Sequence, residues 1–308
     1  MIGRVIEISE DGRHLSLYRG FLVVEAGGAE IGRVPLADIA VVVANGHGIT
    51  YSNNLLIALA ERGASVVLCG ANHHPAAWLW PFDGHHAQTA RMIAQLGARR
   101  PLAKRLWQIV VQAKIGQQRA VLQALGRPAG GFLLLARQVR SGDPENIEAR
   151  AARRYWRLLF GDDFRRDRAE PGVNALLNYG YTVLRAATAR AVVSAGLHPS
   201  LGIHHRTRTD PLCLASDLME PFRPLVDLAV ARCQDAGIEG LSREAKRDLA
   251  AVLVYDLRTR AGTTPLATCL ERLAVSLAQA FESGRAALDL PLAPLPLDLA
   301  SAGRGAGG

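Results

Sequence analysis

The chain has 308 residues, of which 49% are hydrophobic, so it is long enough for two domains with a substantial core. Its formal net charge of +8 is uneven, because residues 1–86 carry 5 Lys or Arg against 8 Asp or Glu, whereas the remainder carries 31 against 20. The apolar runs are too short for a membrane helix and no signal-peptide pattern is recognisable, which favours a cytoplasmic protein. The four cysteines are widely spaced, which excludes a zinc ribbon or a disulfide framework.

Residues 1–86 are predicted to form a β-rich domain. Short alternating or β-branched runs such as RVIEI, HLSLY and FLVVEA are separated by DG, RG, GG and NG turn signals. One helix is expected where Ser52 can cap the run LLIALAER and Gly63 can end it. The run ASVVLCG then predicts a return to a buried strand before the break at Asp83 and Gly84.

From residue 87 onward, apolar residues recur at three- and four-residue spacing, which predicts an all-helical domain over 87–286. The segment 287–308 is rich in Pro, Ala and Gly and is expected to be a disordered tail. The predicted fold class is therefore α+β, with a β-rich domain followed by a larger all-α domain. Helices are expected over residues 88–96, 101–125, 130–140, 144–160, 171–196, 217–236, 242–260 and 265–286.

The basic character of the helical part predicts a polyanionic partner. Of the 36 basic residues in the chain, 33 are Arg, whose planar side chain can bind phosphate through two hydrogen bonds. A GC-rich coding bias would explain the preference for Arg over Lys. It would not explain the difference in net charge between the two parts of the chain.

Glu148 is the first candidate functional residue. In the helix expected over 144–160 it shares a face with Ala151, Ala152 and Tyr155 and therefore points toward the core or its edge. A carboxylate in that position needs a cation, a hydrogen-bond donor or a metal ion. Two simpler explanations stay open, namely a favourable position in the first turn of a helix and an ion pair with a neighbouring Arg.

The segment 196–227 contains a second group of candidates. His204 and His205 lie on a predicted loop, and Asp217 and Glu220 are three residues apart at the start of the next predicted helix. An imidazole with several carboxylates is a mixed set of ligands that suits Mn²⁺ or Mg²⁺. Asp217 and Glu220 also fit a capping box that would serve only the helix, and this alternative stays open. The nearby arginines that could bind phosphate are Arg206, Arg208 and Arg223.

Four blocks of sequence stand out in the helical part of the chain. They are IEARAARRYW (147–156), NALLNYGYTVLRA (174–186), GLHPSLGIHHR (196–206) and LASDLMEPFRPLVD (214–227). In this order they resemble a known family, the CRISPR-associated integrase of spacer acquisition, which is the first Cas protein. The resemblance covers the whole chain, and the motifs NYGY and DLMEPFRP are most similar to the version that accompanies type II CRISPR systems.

The resemblance implies a specific set of metal ligands. They are Glu148, His205 at the end of a G-x-x-H motif that begins at Gly202, and Glu220 at the end of a D-x-x-D/E motif. Asp217, the first acid of that motif, is implied as a supporting or alternative ligand.

Two places depart from the pattern expected of this family. Ser216 stands where a second Asp often precedes Asp217, and the tripeptide DPL at 210–212 stands where an Asn and an aromatic residue are usual. Neither departure removes a ligand.

The resemblance also implies partners and a reaction. The β-rich domain would dimerise, and two such dimers would join a dimer of the small second Cas protein in a heterohexameric complex that holds double-stranded DNA, with other type II CRISPR proteins as further partners. In a reaction that depends on Mg²⁺ or Mn²⁺, a 3′-hydroxyl of the prespacer would attack a phosphodiester at the edge of a CRISPR repeat, and attack by water would make the same site a DNA endonuclease.

Two rival functions are a non-catalytic nucleic-acid-binding scaffold and a metallohydrolase of small phosphoesters, although the basic helical part argues against the latter.

Overall fold

The computed structural model describes residues 4–71, 75–81, 84–167, 169–207, 210–238 and 240–292. Strands dominate the chain up to residue 79 and helices dominate it from residue 88 onward, which confirms the predicted α+β class. Within these described ranges, no helix is both long and apolar enough to cross a membrane.

Two four-stranded sheets form the β-rich first domain. All six residues of the strand Ile39–Ala44 are buried, as a β-branched run in the middle of a sheet requires. In spatial order, the first sheet contains β1 (Arg4–Ile8), β5 (Ile39–Ala44) and β7 (Ser65–Cys69), which are parallel, and the antiparallel β8 (Pro75–Leu79). The second sheet contains β4 (Ala29–Pro35), β3 (Phe21–Ala26), β2 (His14–Tyr18) and β6 (Thr50–Tyr51).

The expected helix of the first domain is α1 (Asn53–Glu61). The hydroxyl of Ser52 accepts a hydrogen bond from the amide of Leu55 and so caps the first turn. Gly63 adopts a positive φ of 67° just beyond the helix, and its amide donates a hydrogen bond to the carbonyl of Ala60. The predicted start and stop of this helix are both confirmed.

The second domain is built around one long helix that packs against several others. Its helices are α2 (Gln88–Leu96), α3 (Arg100–Ala124), α4 (Phe132–Gln138), α5 (Ile147–Phe160), α6 (Val173–Ser194), α7 (Cys213–Met219), α8 (Arg223–Asp235), α9 (Arg243–Ala250) and α10 (Leu266–Ser283). The central helix is α6, which contacts α7, α8, α9 and α10. Gly180 of α6 allows α8 to come close, because a Cβ at this position would stand 2.4 Å from Cγ1 of Val226.

The two domains are joined along α6. Ala186 of α6 is buried among side chains of β5 and β7. Glu7 of β1 accepts hydrogen bonds of 2.8 Å from the hydroxyl of Tyr179 on α6 and from Nζ of Lys246 on α9. An apolar contact and a charged contact thus fix the helical domain against the first sheet.

One predicted helix is wrong in its second half, where the otherwise helical domain contains a short hairpin. The helix expected over 242–260 is α9 followed by a 3₁₀ turn at Ala251–Val254, after which the chain forms a hairpin of β9 (Asp256–Thr259) and β10 (Gly262–Pro265). Burial alternates along β9 with the period of two that belongs to a strand. Gly262, with a φ of 102°, allows the chain to reverse at a point where other residues would be strained.

The disordered tail is a second prediction that needs correction. The segment after α10 is part of the fold up to residue 292. Nε of Arg272 lies 3.0 Å from Oδ2 of Asp289, and the hydroxyl of Ser276 accepts a hydrogen bond from the amide of Asp289. The side chains that hold this segment belong to α10, so its local composition could not reveal them. Residues 293–308 lie outside the described residues.

Candidate active site

The N-terminus of α5 positions the first acidic side chain of the site. The carboxylate of Asp143 accepts hydrogen bonds of 2.9 Å from the amides of Ile147 and Glu148 and so caps the helix. Glu148 lies in the first turn and turns toward α3, as its helical face predicts. Its partner is Lys114 of α3 rather than a neighbouring Arg, which corrects the ion-pair alternative.

Lys114 brings the first acid together with the second. Its Nζ lies 2.5 Å from Oε1 of Glu148 and 2.5 Å from Oε2 of Glu220, which opens the 3₁₀ turn Glu220–Phe222 between α7 and α8. Nη1 of Arg223 lies 2.5 Å from the other carboxylate oxygen of Glu220. Two carboxylates that are 72 residues apart in the sequence therefore converge on one ammonium group.

Glu220 is ionised in a buried position. Burial alone would raise its pKa, but Arg223 and Lys114 outweigh burial and lower the pKa to about 2. Burial would likewise lower the pKa of Lys114, but Glu220 and Glu148 more than compensate, so the pKa is raised and the ammonium is retained. Oε2 of Glu220 is buried and accepts no hydrogen bond of normal geometry, although it touches the ammonium.

The loop between α6 and α7 carries His204 and His205 and is called the histidine loop below. Contacts from α2 and within the loop itself fix its conformation. The buried amide of Gln95 on α2 donates hydrogen bonds to the carbonyls of His198 and Leu201 and accepts one from the amide of His198. Further along the loop, a Cβ on Gly202 would stand 2.2 Å from the carbonyl oxygen of His205. Only glycine fits there, which gives the G-x-x-H motif a physical basis.

Asp217 fixes the orientation of the histidine loop. It is fully buried (0% exposed), and its carboxylate accepts hydrogen bonds from the amides of His204 (2.9 Å) and His205 (3.3 Å). It lies within α7, whose N-cap is Leu212 without a side-chain hydrogen bond. The capping-box alternative for Asp217 and Glu220 is therefore wrong, because α7 begins four residues before Asp217.

The two neighbouring histidines have different surroundings. Nδ1 of His205 lies 2.5 Å from Oδ1 of Asp217, and this hydrogen bond raises the pKa of His205 while leaving Nε2 as the ring nitrogen available to a ligand. The ring of His204 is stacked on buried Trp107 of α3 at 4.1 Å between centroids, and burial lowers its pKa. The carboxylate partner supports the choice of His205 over His204.

The donor set fits a divalent cation, although it is not closed around one. Among the residues that the structure describes, no three His, Cys, Asp or Glu side chains are grouped closely enough to hold a metal ion as they stand. The two carboxylates are engaged by Lys114. Yet the two carboxylates converge on one positively charged group, and an imidazole held by a carboxylate through its second nitrogen is the usual setting of a histidine ligand.

The arginines that were expected to bind phosphate are in three different situations. Arg206 is exposed, and Arg208 lies outside the described residues. Arg223 donates to Glu220 and lies over the ring of Tyr181, with 4.3 Å between Cζ and the ring centroid. Its role in DNA binding stays a prediction.

A larger basic surface lies on the outer face of α5, where the sequence places arginines opposite the apolar stripe, although these were not interpreted as a phosphate-binding site. Four exposed arginines line an open groove of about 430 Å³ there, and in the described part of the chain none of them forms an ion pair. Because they recur at three- and four-residue spacing, the helical pattern carried enough information to find them. They are Arg150, Arg153, Arg154 and Arg157.

Lys114 is the main site residue that the sequence analysis missed. It interrupts the apolar face of α3 between Val111 and Ile115, which are both fully buried. A lysine in such a position needs an anionic partner, so the pattern did contain a signal. The identity of the partners depended on how three helices pack.

Comparisons with known proteins agree with this architecture. The sequence profile of the family described as CRISPR associated protein Cas1 matches residues 6–239. The chain is 41% identical over 230 residues to the CRISPR-associated endonuclease Cas1 of Neisseria meningitidis serogroup C, covering 74% of this chain and 75% of that protein. It is 29% identical over 269 residues to a CRISPR-associated endonuclease Cas1 of Pyrobaculum aerophilum, covering 82% and 89%.

Solved structures with low sequence identity share the fold. A casposase bound to integration product has a TM-score of 0.77 at 19% identity, covering 93% of this chain and 92% of that chain. A Cas1 protein from Thermotoga maritima has a TM-score of 0.72 at 14% identity, covering 90% and 97%. A chain of a Cas6-RT-Cas1–Cas2 complex has a TM-score of 0.73 at 20% identity, and the match covers 96% of this chain and 37% of that chain.

Proposed function

The chain belongs to the CRISPR-associated protein Cas1 family, and from this premise we propose that it is a divalent-metal-dependent DNA endonuclease and integrase of CRISPR spacer acquisition. The observation that carries the proposal is that Glu148 and Glu220 converge on the ammonium of Lys114. Beside them lies the imidazole of His205, which Asp217 holds in one orientation. The printed names of the relatives, an endonuclease and a casposase bound to integration product, point to the same class of reaction.

Each residue of the site has a distinct role in this proposal. Glu148, Glu220 and His205 would hold a Mg²⁺ or Mn²⁺ ion, which when bound polarises the scissile phosphate and promotes attack by the prespacer 3′-hydroxyl or by water. Asp217 holds the ring of His205 in one orientation and one tautomer. Arg223 keeps the carboxylate of Glu220 ionised at neutral pH.

The proposed substrate is double-stranded DNA. The groove on α5 offers unpaired guanidinium groups such as those of Arg153 and Arg157, which can contact phosphates along a duplex without reading its sequence. The four arginines are spread over two turns of α5, roughly 10 Å, which is more positive charge over a longer stretch than one small phosphoester requires. This observation favours DNA over the rival small substrate.

The proposed assembly follows the partners in the name of one similar structure. That structure is a Cas6-RT-Cas1–Cas2 complex, and we infer a homodimer of this chain that joins the small second Cas protein in a heterohexamer in the cytoplasm. Exposed apolar side chains on the β-rich domain, Tyr18, Ile31 and Ile57, are available for the dimer contact. Association with other type II CRISPR proteins is part of the same proposal.

An oligonucleotide integration assay with Mn²⁺ and the second Cas protein tests the proposed site. Glu148→Ala and Glu220→Ala should abolish joining of a prespacer to a CRISPR repeat, while duplex affinity survives because it depends on the distributed arginines. The matched control is Glu145→Ala, since Glu145 is exposed beside α5 and pairs only with Arg140 among the described residues. Full activity of Glu148→Ala would refute the assignment, as would equal loss of activity in the control.

The same variants separate the enzyme from the rival scaffold. Calorimetry should detect Mn²⁺ binding to the wild-type protein and its loss in Glu148→Ala. A scaffold that binds DNA without catalysis would show no such difference.

A further inference from the structure

Lys114 is a buried charge with an unusual set of partners. It is 8% exposed, it lies on the apolar face of α3, and its ammonium touches the carboxylates of both Glu148 and Glu220. Burying an ammonium costs free energy unless it is paired with an anion. Two carboxylates that touch the same ammonium would repel each other if that cation were removed. Lys114 therefore keeps the two acids together.

The charges of the two proposed acidic ligands are already balanced. Lys114 and Arg223 supply two cations for Glu148 and Glu220. Arg223 binds the Glu220 oxygen that faces away from Lys114, so it can stay in place when a ligand enters between the acids. The ammonium of Lys114, by contrast, occupies the point at which the two acids converge.

We propose that Lys114 is an exchangeable counter-cation whose ammonium is displaced when a divalent metal ion binds Glu148 and Glu220. This inference rests on the proposed metal-dependent function of the same site. The displaced ammonium remains tethered to α3 beside the metal, where it needs a new anion. A DNA phosphate is the anion that the proposed substrate brings, so metal and DNA should strengthen each other's binding.

The wild-type protein offers a direct test because it contains only three lysines, Lys104, Lys114 and Lys246. Acetylation by an amine-specific reagent, read by peptide mass spectrometry, would report the accessibility of each. We expect Mn²⁺ to raise the labelling rate of Lys114 several-fold over its rate in EDTA. Lys104 is exposed and Lys246 pairs with Glu7 of the first sheet, so both should label equally in the two conditions.

A charge-removing variant tests the energetic side of the inference. Lys114→Met should bind Mn²⁺ at least about tenfold more tightly than the wild-type protein in the absence of DNA, because the competing cation is gone. Lys114→Arg retains the positive charge and should show no such gain. The thermal unfolding temperature of Lys114→Met should be lower than wild type in EDTA and should rise more on addition of Mn²⁺.

Duplex DNA completes the experiment. A non-cleavable duplex oligonucleotide should tighten Mn²⁺ binding to the wild-type protein and tighten it less in Lys114→Met. If calorimetry shows that Mn²⁺ binds while Lys114 labels no faster, or if Lys114→Met binds Mn²⁺ no more tightly than wild type, the inference is wrong. The labelling test remains decisive if Lys114→Met fails to fold.

The outcomes also distinguish this inference from the proposed function. Absence of Mn²⁺ binding to wild type, with or without the duplex, would contradict the metal-dependent function itself. Binding of Mn²⁺ that requires Glu148 but leaves Lys114 protected would retain that function and remove only the exchange.

Discussion

Gly202→Ala should disturb the candidate site without removing any of its functional groups. The added Cβ would stand 2.2 Å from the carbonyl oxygen of His205 and 2.9 Å from Oδ2 of Asp217, whereas ordinary contacts begin near 3.4 Å. Neither neighbour can yield easily, because one is backbone and the other is a fully buried side chain. The histidine loop must therefore move away from α7.

The expected magnitude follows from the hydrogen bonds that this movement strains. Asp217 accepts hydrogen bonds from the amides of His204 and His205 and from Nδ1 of His205. A hydrogen bond to a charged group contributes ~1.5–3 kcal/mol, so loss of one or two lowers the free energy of unfolding by about 1.5–6 kcal/mol. With an unfolding entropy of about 2.1 cal/mol/K per residue, each kcal/mol lowers the unfolding temperature of this 308-residue chain by about 1.5 °C, so the temperature should fall by roughly 2–9 °C.

Thermal unfolding and Mn²⁺ calorimetry together check this prediction. Misorientation of His205 should also weaken Mn²⁺ binding by about 10–100-fold, as is typical when the partner that orients a ligand is disturbed. Gly32→Ala in β4 is the matched control, because a Cβ there has no heavy atom within 4 Å. If Gly202→Ala matches the control in both measurements, the close contact does not hold the loop and the reasoning fails.

Two further predictions concern a buried acid and the basic groove. Burial raises the pKa of Asp227 from 3.8 to about 7, against opposing effects of Tyr181 and Arg223, so the folded protein retains a proton that the unfolded chain loses. The free energy of unfolding should then decrease between pH ~4 and ~7 by at most about 1.4 kcal/mol per pH unit from this group. Asp227→Asn should flatten that slope in urea unfolding. An unchanged slope, equal to that of the exposed control Asp235→Asn, would contradict the shifted pKa. Replacement of both Arg153 and Arg157 by Gln should weaken duplex binding and reduce the slope of log affinity against log salt by roughly 2. The same slope as in the exposed control Arg260→Gln would show that DNA does not occupy the groove.

Local patterns were sufficient wherever the determining contacts lie within one element. The strand runs of the first domain, the Ser52 cap, the Gly63 stop and the inward face of Glu148 all depend on neighbours within a few residues. The close approach at Gly202 also lies within one loop and its adjoining helix, although the G-x-x-H motif was identified through the family resemblance. Periodicity and turn chemistry reach this far because backbone geometry repeats locally.

Predictions failed where a distant partner decides the conformation. The hairpin of β9 and β10 replaced the end of an expected helix, and the segment after α10 is anchored through Asp289 by side chains of that helix. Asp217 looked like a helix cap because its spacing from Glu220 matches a capping box. In the folded chain its carboxylate instead faces the histidine loop.

The sequence by itself determined the α+β class, and its resemblance to a known family supplied the acids and the histidine that are proposed as ligands. Only the tertiary structure decided what those groups contact. Lys114 meets Glu148 and Glu220 because α3 passes between the start of α5 and the turn between α7 and α8. That meeting depends on how apolar faces from distant parts of the chain pack together, and no local spacing encodes it.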